Sequence, residues 1–337
     1  MSSTHVDFSR TVGHAFPAQP VAWKRRDLLL YAVGINAGPE QLSYIYEGVP
    51  SFRAFPTYPL VLGLRGDSDD TNVFAERIAG RAALPGFPKL DPNTIVHGEQ
   101  SLRVLKPLPL VSGPGWTLQS RVTAVNDKGK ALILESEASL VSPHGEVHAV
   151  MVGATFYRGG GQGTGFSKSL PSPDARPRSA PPKVDTKSSK PDFELKEVVS
   201  PTQAAIYRLS GDYNPLHIDP SIGKRGGLGG VILHGLCSYG FAARALLRAY
   251  DAHDGEPAVE SKLALEYISA RFTSPVRLGD ALLTRVWKVG AGAGAGEEEG
   301  WCAFEQVVLK ADGTPGSASL RGVAKVKLAA AGDKAKL

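Results

Sequence analysis

The chain has 337 residues, of which 42% are hydrophobic and 21% charged; this length suits about two domains, and the composition excludes a disordered chain, a collagen-like repeat and a long coiled coil. Its two cysteines, Cys237 and Cys302, cannot form a disulfide framework and favour a reducing compartment, and no apolar run approaches the ~18 residues that a membrane span needs. The formal net charge is +5, so nucleic-acid binding depends on where the basic residues lie.

The first half, residues 1–158, is predicted to end in antiparallel strands. Polar and apolar residues alternate over 117–125, 131–140 and 147–156, which is typical of strands with one buried face. The residues at 126–129, Asn-Asp-Lys-Gly, favour a tight turn between the first two of these strands. We therefore expect a sheet here, preceded by a helix-forming segment.

A segment rich in proline, serine and lysine, residues 159–191, separates the two halves. It opens with several glycines, and within Ser167–Lys190 six lysines and arginines stand against two aspartates. Because this segment carries most of the net charge and has almost no apolar residue to bury, it predicts a solvated linker. The sequence therefore predicts no nucleic-acid binding.

The second half, residues 192–328, repeats the order of elements. Alternating segments at 281–289, 301–309 and 317–326 predict antiparallel strands, and the apolar residues of 236–250 cover most of a helix circumference, which predicts a buried helix. One buried helix wrapped by a sheet in each half is an α+β double hot-dog, with two antiparallel sheets each wrapping a central helix.

A weak internal repeat supports this duplication. Residues 94–101 resemble residues 231–238, and Tyr31–Gly34 parallels Tyr207–Ser210. The repeat predicts that the His-Gly pair of each half belongs to its helix-forming segment.

The most informative loop follows a short predicted helix in the second half. Ser200 can cap that helix, with Pro201 at its first position and Gln203 completing a capping box, and the helix should stop at Ser210–Gly211.

The loop itself carries an acid, an amide and an imidazole within six residues. Pro215 forces Asn214 out of helical geometry, so Asp212, Asn214 and His217 should lie on a rigid loop. These side chains are of the types that acid–base catalysis requires, although Asp and Asn are also ordinary turn residues.

A second feature completes the chemistry. Gly235 precedes the buried helix, so its backbone N–H should lie at a helix N-terminus, where developing negative charge is stabilised. Hydration of an α,β-unsaturated thioester needs a base for the water, an acid for the α-carbon and a donor for the enolate oxygen.

These residues resemble the hydratase 2 family, the MaoC-like (R)-specific enoyl-CoA hydratases that occur alone or as a module of peroxisomal multifunctional enzyme type 2. The resemblance covers nearly the whole chain. Its residues are Tyr31–Gly34, Ile45–Gly48, Phe55–Thr57, His97–Gln100, Lys106–Pro109 and Asp127–Gly129 in the first half, and Tyr207–Pro220, Ile232–Cys237 and Ala270–Phe272 in the second.

The resemblance implies roles for individual residues. Asp212 and His217 would be the catalytic pair, Asn214 would bind substrate and orient them, and Gly235 would supply the oxyanion N–H. Substrate contacts are expected at His97, Gly98, Lys128, Tyr213, Pro215, Leu216 and Phe272. Coenzyme A would be part of the acyl-CoA substrate, so neither a separate cofactor nor a metal is expected, and a homodimer is compatible with this reading.

The first half is expected to shape the acyl pocket and to perform no chemistry. Laying Tyr31 over Tyr207 places Asn36 at the position of Asp212 and Gln41 at the position of His217, and an amide cannot shuttle a proton near neutral pH. An apolar set in this half could instead line a tunnel for the acyl tail, or simply pack in the core: Phe52, Phe55, Tyr58, Leu60, Val61 and Leu62.

The last residues, 329–337, are expected to be a flexible tail. They end in Ala335-Lys336-Leu337, a tripeptide of the peroxisomal type, which predicts a peroxisomal location and an import receptor as a partner.

Three other functions remain open at this stage. The chain could be a dehydratase that runs the same step in reverse for a secondary metabolite, a hot-dog acyl-CoA thioesterase, or a non-catalytic acyl-binding protein. The Asp212/His217 pair favours the hydratase, working in fatty-acid β-oxidation.

Overall fold

A computed structural model of the chain describes residues 6–72, 74–80, 83–91, 95–181, 183–251, 263–289 and 300–328. Its helices are α1 Phe8–Thr11, α2 Arg25–Gly34, α3 Leu42–Ile45, α4 Pro59–Arg65, α5 Phe74–Ala79, α6 Gln203–Tyr207, α7 Pro220–Arg225 and α8 Gly235–Asp251. Its strands are β1 Gln19–Pro20, β2 Ile95–Val104, β3 Thr117–Asp127, β4 Ala131–Val141, β5 Val147–Arg158, β6 Ser167–Ser169, β7 Phe193–Val198, β8 Leu263–Phe272, β9 Ala281–Lys288, β10 Trp301–Leu309 and β11 Pro315–Leu328.

The two halves share one continuous antiparallel sheet. Its strand order is β1-β3-β4-β5-β2-β8-β11-β10-β9-β7, with β6 paired to β3. The halves meet where β2 pairs with β8, in a register that sets Gln100 opposite Ala270. The predicted antiparallel α+β organisation is confirmed, and the two predicted sheets are joined edge to edge.

The long helix α8 occupies the concave side of the second half. It packs against β7, β8, β9, β10 and β11, and twelve of its residues are buried, as expected for a helix that is apolar around most of its circumference. Gly240 on this helix allows the first half to approach, because a Cβ there would overlap the side chain of Ile35.

The first half differs from the repeat-based prediction. His97 and Gly98 lie in β2 and not in a helix, and the longest helix among the described residues of this half is α2, with ten residues. The sequences that follow the two His-Gly pairs differ. In the first half Pro107 and Pro109 follow, and because proline disrupts a helix interior, a long helix like α8 cannot form there.

The segment between the halves is also less solvated than expected. Strand β6 pairs with β3, Ala175 is buried, and the indole N–H of Trp301 donates to Ser179 Oγ. These partners come from distant strands and involve backbone or small polar groups, so hydrophobic patterning gave no sign of them.

Two residues near the start of this segment, Gln162 and Thr164, bind the carboxylate of Asp127. Asp127 accepts hydrogen bonds from the backbone N–H groups of Gly129, Gln162 and Thr164 and from the Thr164 hydroxyl. Burial opposes ionisation of Asp127, but these four donors prevail and lower its pKa to about 2.

None of the helices in the described ranges is long and apolar enough to cross a membrane. The predicted tail at 329–337 lies outside the described residues.

Candidate active site

The loop with the acid–base residues begins where α6 ends. A 3₁₀ turn, Arg208–Ser210, extends the helix, and Gly211 then takes a φ of +128°, a value that favours glycine. A Cβ at Gly211 would lie 2.8 Å from the backbone nitrogen of Arg65, so both backbone angle and space require glycine. The predicted cap is confirmed in part, because Ser200 Oγ accepts from the N–H of Thr202 at 3.2 Å. The capping box is not completed, because the Gln203 amide donates to the carbonyl of Gly34 in the first half.

Asn214 holds the loop in shape. Its backbone N–H lies 3.3 Å from Asp212 Oδ1, and its side-chain Oδ1 accepts from the N–H of Leu216 at 3.0 Å. The second bond caps a 3₁₀ turn, Pro215–His217, which begins with proline at its preferred position. Asn214 therefore orients the catalytic candidates, whatever further contact it makes with substrate.

His217 is buried, and its Nε2 has no hydrogen-bond partner in the part of the chain that the structure describes. Its Nδ1 lies 2.9 Å from the carbonyl oxygen of Ile232, which can only accept, so Nδ1 carries the proton and Nε2 keeps its lone pair. Burial lowers the pKa of His217, against the opposing effect of the Asp212 charge. The imidazole is thus held neutral with a basic nitrogen beside a carboxylate.

A second imidazole lies flat against the first. The rings of His217 and His234 have centroids 3.8 Å apart with 29° between their planes. His234 Nε2 donates to the backbone carbonyl of Asp212 at 3.1 Å, and burial followed by the proximity of His217 lowers the pKa of His234 well below its usual value. His234 therefore supports the loop as a neutral ring.

Asp212, His217 and His234 each offer an atom within 4.8 Å of the others, which raises the question of a metal. Nitrogen lone pairs lie in the ring plane, and two nearly parallel planes do not converge within the ~2.0–2.1 Å of a metal–nitrogen bond. The arrangement suits proton transfer better than metal binding.

Gly235 provides a hydrogen-bond donor at the start of α8. Its N–H has no acceptor among the described residues, and the helix dipole favours negative charge at this point. A Cβ at Gly235 would lie 3.1 Å from Phe272, whose ring is 4.8 Å from that of His97. The structure therefore brings His97 and Phe272, both expected substrate contacts, to the glycine.

His97 connects the two halves of the site. Burial lowers its pKa, while hydrogen bonds to Gln100 and Glu99 and the charge of Asp212 oppose that shift. Gln100 was included in the family motif His97–Gln100 but was given no role at the site.

The other expected contacts have different surroundings. Gly98 lies at a bulge in β2, where a Cβ would overlap the ring of Phe156. The Arg208 guanidinium lies over the Tyr213 ring, 5.0 Å from its centroid.

Lys128 lies farther from the catalytic loop than the other expected substrate contacts do. It is exposed on the turn between β3 and β4, and the register places that turn three strands from the start of β2, or roughly 14 Å at the usual strand spacing. Pro215 and Leu216 are half-buried in the 3₁₀ turn.

The counterpart positions in the first half are filled by an ion-pair network. Gln41 Oε1 accepts from Arg244 Nε at 2.7 Å, and Asn36 Nδ2 donates to Glu197, which also pairs with Arg244 at 2.6 Å. Arg244 is 1% exposed and also donates to the carbonyl of Ile35. The two positions that the sequence overlay aligned with the acid and the imidazole are thus amides held by a buried guanidinium network.

A cavity of about 250 Å³ lies beneath α4 in the first half. It is lined by Gln19, Pro59, Leu60, Gly63, Gln100, Leu118, Ser120, Ser136, Ala138, Met151 and Gly153. Of the apolar set expected to form a tunnel, Leu60 reaches this cavity, whereas Phe55, Tyr58 and Val61 are buried in the core.

Comparisons with known proteins agree across both halves. Residues 22–159 match the MFE-2 hydratase 2 N-terminal domain, and residues 183–303 match the MaoC-like domain. The chain is 37% identical over 274 residues to a probable dehydratase of Ajellomyces capsulatus, covering 80% of this chain and 68% of that protein. It is 35% identical over 287 residues to a probable enoyl-CoA hydratase 2 of Dictyostelium discoideum, covering 84% of this chain and 88% of that protein. It is 33% identical over 290 residues to the peroxisomal enoyl-CoA hydratase 2 of Arabidopsis thaliana, covering 83% of this chain and 86% of that protein.

Solved structures give the same fold. A MaoC-like dehydratase from Phytophthora capsici is 34% identical, with a TM-score of 0.78 over 98% of this chain and 100% of that one. A Mycobacterium tuberculosis protein described as having a double hotdog fold has a TM-score of 0.55 at 12% identity, over 94% and 96% of the two chains. The predicted double hot-dog class is confirmed.

Proposed function

Because the chain belongs to the MaoC-like hydratase 2 family, we propose that it catalyses the reversible hydration of trans-2-enoyl-CoA to (3R)-3-hydroxyacyl-CoA. The observation that carries this proposal is the free Nε2 of His217 beside Asp212, close to the start of the helix that exposes the Gly235 N–H. The first half, 1–158, would shape the acyl pocket, and the second, 192–328, would perform the chemistry.

The reaction needs only protein groups and one water. Asp212 and His217 hold the water; its oxygen bonds to the β-carbon as a proton passes to the pair, and the pair returns a proton to the α-carbon. The Gly235 N–H donates to the thioester oxygen as it becomes an enolate, aided by the helix dipole. No cofactor beyond the coenzyme A of the substrate takes part.

Chiral analysis of the product tests this proposal. Purified protein incubated with crotonyl-CoA should consume the conjugated enoyl absorbance and yield the (3R)-hydroxyacyl-CoA. The (3S) product would contradict the family-based stereochemistry, and release of a free thiol would instead support a thioesterase. Absence of both reactions alongside tight acyl-CoA binding would support a binding protein.

A second candidate is the reverse reaction, dehydration of a (3R)-hydroxyacyl thioester in a biosynthetic pathway. One of the relatives is named a probable dehydratase, at 37% identity. The same pair and donor serve both directions, and the equilibrium constant fixes the ratio of forward to reverse kcat/KM for any one acyl group. The two roles are therefore separated by which acyl groups give the highest kcat/KM, measured over a series of fatty enoyl-CoA and biosynthetic hydroxyacyl thioesters.

For location, we infer the peroxisome. The relative from Arabidopsis thaliana is named peroxisomal, and the tripeptide 335–337 supplies a sequence that an import receptor would bind.

A further inference from the structure

The cavity of the first half exists because small residues face each other across neighbouring strands. In the sheet register, Ser136 stands opposite Gly153, and Ala138 stands opposite Ser120. These four residues line the cavity together with Gly63 of α4, which also leaves space. The resulting volume of about 250 Å³ is far above the ~10–15 Å³ that a cavity needs to hold one water molecule.

This cavity adjoins the candidate active site through His97. Gly153 and Gln100 both line the cavity, and from the position of a Cβ on Gly153 the distances are 3.2 Å to Gln100 Oε1 and 3.6 Å to His97 Nε2. His97 in turn lies against Phe272, next to Gly235. His97 and Phe272 therefore lie between the cavity and Gly235, and an acyl chain whose thioester is held at Gly235 would have to run past these two side chains to enter the cavity.

The lining is polar as well as apolar. Ser120 and Ser136 both line the cavity and are half-buried, and the described residues offer neither hydroxyl a hydrogen-bond partner. A saturated chain would bury these hydroxyls without partners, which costs free energy, whereas an oxygen on the chain would satisfy them. Leu60, Leu118 and Met151 supply the apolar part of the wall.

We propose that the preferred substrates are enoyl-CoA esters whose acyl chain carries a hydroxyl or keto oxygen beyond the reacting carbons, bound by Ser120 and Ser136. This rests on the proposed hydratase activity and adds the chemical class of the acyl group. The two serines are specificity-determining residues, because they touch the distal part of the acyl chain and not the reacting atoms.

Kinetics with matched substrates test the assignment. The substrates are crotonyl-CoA, trans-2-decenoyl-CoA, and decenoyl-CoA derivatives with one hydroxyl at successive carbons from the sixth onward. The variants are Ser136→Ala and Ser120→Ala, which remove a hydroxyl at nearly constant volume, and Ser136→Phe, which fills the cavity. Ser139→Ala on the same strand is the control, because its side chain points to the opposite face of the sheet.

We expect wild-type kcat/KM to be highest for at least one hydroxylated substrate. Each alanine variant should lower that value about two- to ten-fold, while decenoyl-CoA is unchanged or improved. Ser136→Phe should lower kcat/KM for every decenoyl substrate about ten-fold or more, while its turnover of crotonyl-CoA is retained. Ser139→Ala should have the same kcat/KM values as wild type.

Two results would overturn the inference alone: no preference for any hydroxylated chain, or alanine variants that affect plain and hydroxylated chains equally. If wild type fails to hydrate crotonyl-CoA as well, the proposed function itself is refuted. Ser136→Ala decides the matter even if Ser136→Phe does not fold.

Discussion

Arg244 offers a direct test of the division of labour between the two halves. Its guanidinium is buried and ties α8 to the first half through Gln41 and Ile35, and to β7 through Glu197. Replacing Arg244 with Met keeps the aliphatic stem but removes every donor. The carboxylate of Glu197, only 10% exposed, is then left with the amide of Asn36 as its neutral partner.

The expected cost follows from this burial. Breaking a buried ion pair by removing one partner costs about 3–5 kcal/mol, because the remaining charge stays desolvated. For a chain of 337 residues, with an unfolding entropy of about 2.1 cal/mol/K per residue, that corresponds to a fall in Tm of roughly 4–7 °C. Because Arg244 contacts neither Asp212 nor His217 through any hydrogen bond that we find in the described residues, kcat for crotonyl-CoA at 25 °C should stay within about two-fold of wild type.

Thermal melts and initial rates measure both quantities. Arg248→Met is the matched control, since Arg248 lies one turn along the same helix, is 30% exposed and pairs with Glu40 at 3.4 Å; it should cost less than about 1 kcal/mol. Adding Glu197→Gln to Arg244→Met should recover part of the loss. If Arg244→Met melts like Arg248→Met, or loses activity more than ten-fold with an unchanged Tm, the network is not a structural replacement for a second active site.

The remaining predictions concern the catalytic pair, pH and location. Asp212→Asn and His217→Gln should each lower kcat by roughly 10²–10⁴, and the double variant by much less than the product, because both hold one water; multiplicative losses in steady-state kinetics would mean separate steps. Burial lowers the pKa of His217, so the neutral base persists below pH 6.5, and kcat/KM for hydration should fall only at more acidic pH; a wild-type midpoint above 6.5 contradicts this. Asp127→Asn should lower Tm at neutral pH, and the gap to wild type should close between about pH 4 and pH 2, since the folded-state pKa is depressed and its stabilisation disappears as the carboxylate is protonated; a gap independent of pH refutes it. A fluorescent N-terminal fusion should collect in peroxisomes and disperse when residues 335–337 are deleted, and unchanged puncta would exclude that tripeptide as the signal.

The parts of the fold that sequence alone could predict are those with local causes. The α8 helix follows from its own apolar residues, and the catalytic loop follows from Gly211 and Pro215, which restrict the backbone where they stand. The structure therefore brings Asp212 and His217 together on the loop that was expected, while their chemical roles stay predictions.

The parts that sequence could not predict depend on distant partners. The His97–Gly98 pair resembles the start of α8 but forms a strand, because β5 and β8 are available to pair with it. Gln203 was expected to cap its own helix and instead bonds to Gly34, 169 residues away. A short stretch of similar sequence can indicate duplication. It does not predict which residue each one contacts, because those contacts depend on the whole fold.

The pairing of β2 with β8 has a consequence for how the chain folds. Glu99 on β2 and Arg271 on β8 are 172 residues apart, so the central pairing of the sheet has a very high contact order. At about 5–20 residues per second, a ribosome needs roughly 10–35 seconds after making β2 before β8 emerges. Throughout that interval the edge of β2 that is not paired with β5 stays open, and an open strand edge is the kind of surface that recruits other chains. Newly made protein should therefore depend on chaperones until the second half arrives, and a fragment that ends before β8 should aggregate instead of folding as an independent domain.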